Sequence, residues 1–112
     1  MEVLLMTVSD TDEMMTLISA ATNARDAAMA AMASSRAGKF AQADQRLALV
    51  GQYVQQAQDA HTHLLTLEAR GELPQVKLLL VHAESYLTNA ATMQAVATEF
   101  QAVYQRLADA NI

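Results

Sequence analysis

Three histidines carry nearly all the chemistry open to this chain: His61, His63 and His82. There is no cysteine, which removes disulfides, thiolate metal sites and cysteine nucleophiles. Hydroxyl nucleophiles remain, but no Gly-x-Ser-x-Gly turn is present to activate one. The sequence has no glycine-rich loop to cradle a phosphate and no His-Glu-x-x-His pair to hold zinc. What is left is the chemistry of imidazole: hydrogen bonding, proton transfer, or attack by a ring nitrogen that is neutral near physiological pH.

The three differ in their surroundings. His61 falls on an inward position of a helical pattern. It reads either as a buried histidine holding a hydrogen bond across a bundle or as a reactive group, and the first reading is favoured. His63 lies two residues on, about 200° around the helix, and is expected to face solvent. His82 borders an apolar helix face, with Leu78 and Leu79 behind it and Ser85, Tyr86 and Asn89 ahead on the same helix surface. An imidazole between an apolar run and three hydrogen-bonding side chains can be a nucleophile. A solvated histidine at a helix edge is the plainer alternative.

The elements that must position these residues are helical. The chain has 112 residues, 53% of them hydrophobic, with 17% charged, 4% aromatic, three glycines and one proline. Alanine is about a fifth of the sequence. Such a composition excludes disorder, which needs low hydrophobicity and high charge. It also excludes a turn-rich β-sandwich or barrel. The formal net charge is −5 and the few basic residues are scattered, which disfavours nucleic-acid binding. The start, MEVLLMTV, is too short to span a bilayer and lacks the basic lead-in of a signal peptide. With no cysteine, a cytoplasmic location without membrane insertion is expected.

Gly38, Gly71 and Pro74 punctuate the chain. Glycine just past one helix and proline just inside the next mark the boundaries, while Gly51 lies within a helical pattern and suggests close packing. The spacing predicts helices over about 10–37, 40–70 and 75–109, with Asp10 and Glu13 at capping-box spacing. The first seam is Met14, Leu17, Ala21, Ala24, Ala28 and Ala31. The second runs from Phe40 through Ala43, Leu47, Val50, Val54 and Ala57 to His61 and Leu64. The third runs from Val76 and Leu79 through Ala83, Tyr86, Ala90, Met93 and Ala97 to Phe100, Tyr104 and Leu107. Helices of this length reach about 42 to 52 Å. Short links make neighbours antiparallel. The expected architecture is all-α: one domain over 1–112, an up-down-up three-helix bundle drawn close by alanine seams.

The third helix is apolar beyond its seam. Leu80 and Leu87 flank it on one side, and Val96 and Val103 on the other. One intrachain interface cannot bury so wide an arc, so this helix is expected to pack against another chain. Apolar atoms simply left exposed on a thin bundle are the alternative.

Five blocks give a family resemblance: Asn23-Ala24-Arg25, Gly38 through Asp44 (GKFAQAD), Asp59-Ala60-His61, Gly71-Glu72-Leu73, and Leu80-Val81-His82-Ala83-Glu84-Ser85-Tyr86-Leu87. Together, at their spacing, they make the chain resemble the enzyme IIA component of the lactose/cellobiose class of the bacterial sugar phosphotransferase system. The resemblance runs from about Met14 to Leu107. It implies a three-helix bundle that assembles as a homotrimer. It also implies that the chain takes a phosphoryl group from the histidine-containing phosphocarrier protein onto a histidine, as a tele-phosphohistidine, and passes it to a cysteine of the cognate enzyme IIB. The accepting histidine of the family falls on His82. Ser85, Tyr86, Asn89 and His61 are carried as supporting residues, with hydroxyl and amide donors available for the phosphoryl oxygens.

The sequence departs from the family pattern around His82. The family reads His-(Ala/Gly)-Gln-Asp-His-Leu where this chain has His82-Ala83-Glu84-Ser85-Tyr86-Leu87. The family aspartate that binds a divalent metal at the trimer axis is Ser85 here. A neutral hydroxyl is a poor ligand for magnesium, so no metal and no other cofactor is carried over. Glu84 replaces a glutamine and is expected to point outward, Tyr86 replaces a second histidine, and Leu64 replaces a glutamine after the His61 block. Three readings follow: an active phosphohistidine carrier, a regulatory or degenerate paralogue that trimerises with altered or lost phosphotransfer, and a purely structural oligomerisation module. The sugar is left open among lactose, cellobiose, chitobiose and other β-glucosides.

Overall fold

A computed structural model describes residues 8–72 and 78–110 of the chain. It contains three α-helices in order: α1 (Val8–Arg36), α2 (Phe40–Ala69) and α3 (Leu78–Ala110). Among the described residues there is no strand. The second helix matches its expected span to within a residue. The first starts at Val8, which puts Asp10 inside the helix and not at its N-cap. The expected start of the third helix at Gln75, with Pro74 and Val76, lies outside the described residues.

Both described turns follow one scheme. At the end of α1, the Gly38 amide donates to the Ser35 carbonyl at 3.0 Å and the Lys39 amide to the Ser34 carbonyl at 2.8 Å. At the end of α2, Gly71 donates to Glu68 at 3.0 Å and Glu72 to Leu67 at 2.8 Å. These paired bonds form the Schellman arrangement, which satisfies carbonyls left over at a helix end. Gly38 and Gly71 sit at φ +78° and +70°, where a Cβ would meet the following carbonyl.

The seams close as their spacing predicts. Met14, Leu17, Ala21, Ala24, Ala28 and Ala31 of α1 are all buried, as are Ala43, Val50, Val54, Ala57 and Leu64 of α2 and Ala83, Ala90 and Ala97 of α3. The core has two parts. A larger alanine-rich one joins Ala20, Ala21, Ala24, Ala28, Val50, Val54, Ala57, Ala90 and Ala97. A smaller one with bulkier side chains, Met14, Leu17, Leu64 and Leu80, lies toward the end where α3 begins. Helix α1 packs broadly against both neighbours, while the α2–α3 interface is narrower. Among the described residues no helix is long and apolar enough to cross a membrane.

Three expectations are corrected. Phe100 and Leu107, placed on the inward seam of α3, are 44% and 58% exposed. The register explains Leu107: Gln101 of α3 donates a hydrogen bond to Asp44, only four residues from the start of α2. Residues beyond it run past the end of that neighbour. Phe100 instead stacks on Tyr104, with ring centroids 6.1 Å apart. Gly51 does not mark a tight approach, since a Cβ there would meet only Gln94 Nε2, at an ordinary 3.8 Å.

Candidate functional site

His82 stands on the second turn of α3 with its side chain exposed to solvent. Four residues on, one helical turn, Tyr86 points the same way. The two rings meet edge to face, with centroids 4.9 Å apart and planes at 83°. Tyr86 is half-buried and packs on the alanine-rich core. The imidazole thus leans on a ring that is itself anchored in the bundle.

Ser85 and Asn89 are exposed. With Val81, Glu84, Thr88 and Thr92 they line a shallow groove along the outer face of α3. The Ser85 hydroxyl donates to the Val81 carbonyl at 3.3 Å, a bond back into its own helix. Neutral and turned inward on its own backbone, Ser85 does not fit the role of the family's metal-binding carboxylate. The residues at this position do not suit a divalent cation.

His61 and Glu84 form a polar contact between α2 and α3. His61 Nδ1 lies 2.7 Å from Glu84 Oε2, too far off a straight N–H···O line to count as a well-formed hydrogen bond. This corrects the outward placement of Glu84, whose carboxylate turns onto α2. It favours the structural reading of His61, a half-buried residue linking two helices. Glu84 is two residues from His82, so the two side chains leave α3 in different directions. His63 is exposed, as expected. Leu64 is 1% exposed and packs with Met14, Leu17 and Leu80. An apolar core side chain therefore occupies the position of the family's glutamine.

The site thus consists of His82 and Tyr86 as a pair, with Ser85 and Asn89 on the adjoining outer groove and His61 joined to Glu84. The His61–Glu84 contact escaped the sequence reading because helical periodicity orients a residue on its own helix only. The antiparallel register that sets position 61 opposite position 84 is a relation between two helices. A count outward from the Gly71 turn is the signal that points to it.

The outer face of α3 stays uncovered within the chain. Leu80 is buried and Leu87 half-buried against the chain's own core, but Val81 and Val103 are 53% and 51% exposed. Ala95, Val96, Glu99, Phe100 and Val103 line a second, almost wholly apolar groove on this face.

Comparison with known proteins agrees with this arrangement. Residues 12–105 match the family described as "PTS system, Lactose/Cellobiose specific IIA subunit". The chain is 37% identical over 93 residues to the PTS system cellobiose-specific EIIA component of Lactococcus lactis subsp. lactis (strain IL1403), covering 83% of this chain and 80% of that one. It is 32% identical over 87 residues to the lichenan-specific phosphotransferase enzyme IIA component of Bacillus subtilis (strain 168), covering 78% and 79%. The crystal structure of the PTS cellobiose-specific enzyme IIA from Bacillus anthracis superposes with a TM-score of 0.86 at 34% identity, over 93% of this chain and 95% of that one. A three-helix bundle with alanine seams, matched in sequence and shape along nearly its whole length, belongs to the lactose/cellobiose-specific enzyme IIA family of the sugar phosphotransferase system.

Proposed function

We propose that this chain is a phosphohistidine carrier and that His82 is the residue phosphorylated. The observation that carries the reading is the exposed imidazole of His82, held against Tyr86 on a helix of 33 residues. A neutral ring nitrogen attacks the phosphorus of the phosphorylated histidine-containing phosphocarrier protein. A new N–P bond forms as the donor's N–P bond breaks, and the donor nitrogen keeps the electron pair. The next step has the same polarity: a thiolate of the cognate enzyme IIB attacks phosphorus, an S–P bond forms as the His82 N–P bond breaks, and the His82 nitrogen keeps the electron pair. The chain itself has no cysteine, so the thiol step belongs to that partner. Positioning and charge stabilisation supply most of the catalysis in such transfers, and Ser85 and Asn89 stand nearest on the outer groove to serve it.

The carrier is a cytoplasmic homotrimer built on the outer face of α3, where Val81 and Val103 are exposed and Val96 lines the apolar groove. The substrate transported by the whole system is a disaccharide of the lactose/cellobiose type. The named relatives are described as specific for cellobiose and for lichenan, and the choice among such sugars rests with the membrane component.

One set of observations favours a second reading, a regulatory or degenerate paralogue. Glu84 is engaged with His61, Ser85 is bonded into its own helix, and Leu64 is core. The test is incubation with phosphoenolpyruvate, enzyme I and the phosphocarrier protein, followed by intact mass. Wild type is expected to gain one acid-labile phosphoryl group per chain, His61→Ala and His63→Ala to do the same, and His82→Ala to gain none. No gain on the wild type would leave the paralogue reading. Label retained in His82→Ala would move the site to another histidine.

A further inference from the structure

We infer that Tyr86 is a positioning residue for His82 and that it acts through its ring, not its hydroxyl. This inference rests on the carrier reading above. A solvated histidine turns about two side-chain bonds, and a nucleophile so placed spends much of its time in unproductive directions. Here the imidazole meets the Tyr86 ring at 4.9 Å between centroids and 83° between planes. That is an edge-to-face pair well within the favourable range for aromatic rings.

The support is itself fixed. Tyr86 is half-buried and packs on the cluster that holds Ala20, Ala21 and Ala24 of α1 and Ala90 of α3. A ring resting on buried alanines has little freedom to turn, and it passes that restriction to the imidazole. The chain of contact runs from the alanine-rich core through Tyr86 to His82. Both aromatic residues lie on one helix, one turn apart, so the orientation is set within a single chain.

The sequence alone presents Tyr86 as a possible hydroxyl donor to a phosphoryl oxygen. The geometry separates the two roles, since a ring contact survives loss of the hydroxyl and a donor role does not. Tyr86→Phe is therefore expected to keep wild-type transfer, and Tyr86→Leu to lower the rate at saturating phosphocarrier protein by roughly three- to tenfold, the factor matching the strength of such an aromatic pair. The second readout reports the contact itself: the carbon-bound imidazole proton resonances of His82, assigned by their loss in His82→Gln. In Tyr86→Leu they should lose the ring-current displacement that Tyr86→Phe retains, with the His61 and His63 resonances unmoved. Far-ultraviolet circular dichroism and molar mass serve as fold controls.

Equal transfer rates in wild type and Tyr86→Leu would overturn the positioning role. Unmoved His82 resonances in Tyr86→Leu would overturn it as well, by removing the contact. Slow transfer in Tyr86→Phe would assign the role to the hydroxyl and overturn the ring proposal. A wild-type chain that accepts no phosphoryl group would instead remove the carrier reading, and any positioning role with it, even with the ring-current displacement intact.

Discussion

His61 Nδ1 and Glu84 Oε2 lie 2.7 Å apart and join α2 to α3 near the end that bears His82. Their side chains are 26% and 35% exposed, so the contact lies at the edge of the bundle within reach of water. The contact is therefore worth the modest energy of a partly exposed polar pair, not that of a buried one. A double-mutant cycle of His61→Ala and Glu84→Ala, by urea unfolding at fixed protein concentration, is expected to give a coupling of about 0.2–1 kcal/mol. A coupling above about 2 kcal/mol would place the pair in a dry network.

The alanine seam predicts an inverted pattern of tolerance. Ala24, Ala57 and Ala90 are fully buried where helices approach closely. Ala24→Leu or Ala90→Leu should lower stability by about 1–3 kcal/mol or more through overpacking. At the other end of the core, Leu64→Ala should cost about 2–5 kcal/mol through the cavity it leaves. Thermal and urea unfolding of the three variants decide the point, and a neutral Ala90→Leu would show that the seam is loose.

Two glycines should respond in opposite directions. Gly51 sits within α2 with only an ordinary contact awaiting a Cβ. Gly51→Ala is expected to raise stability by about 0.5–1 kcal/mol. Gly38 lies at φ +78°, and Gly38→Ala is expected to lower stability by about 1–2 kcal/mol. Denaturation midpoints moving in the same direction for both variants would contradict the backbone argument.

The outer face of α3 is the surface on which the proposed trimer depends. Val103, half exposed beside an apolar groove, should not tolerate a charge there. Val103→Glu is expected to reduce the light-scattering mass from trimer to monomer. A chelator should leave the wild-type mass unchanged, because Ser85 offers no carboxylate to an axial cation. A chelator-sensitive trimer would show that other groups hold a metal.

The buried stripe of α1 was legible throughout from Met14 to Ala31, because a 3–4 spacing states which side of a helix faces inward. Where a neighbouring helix ends is not written in that spacing, which is why Leu107 continued the α3 pattern but emerged into solvent. Glu84 failed for a related reason: its partner lies across a turn, in a register that one helix cannot encode. For Tyr86 the residue type suggested a hydroxyl, whereas the fold presents a ring. His82 is proposed from its neighbours along the helix and from family resemblance. No burial pattern marks an exposed imidazole as reactive.

The alanine-rich core also shapes how this protein responds to temperature. Unfolding a seam of methyl groups hydrates less apolar surface per residue than unfolding a core of leucines and phenylalanines. The heat-capacity increment of unfolding should therefore fall below the usual ~12–15 cal/mol/K per residue. A small increment flattens the stability curve, so the bundle should lose little stability on cooling and resist cold denaturation better than a leucine-packed domain of equal length.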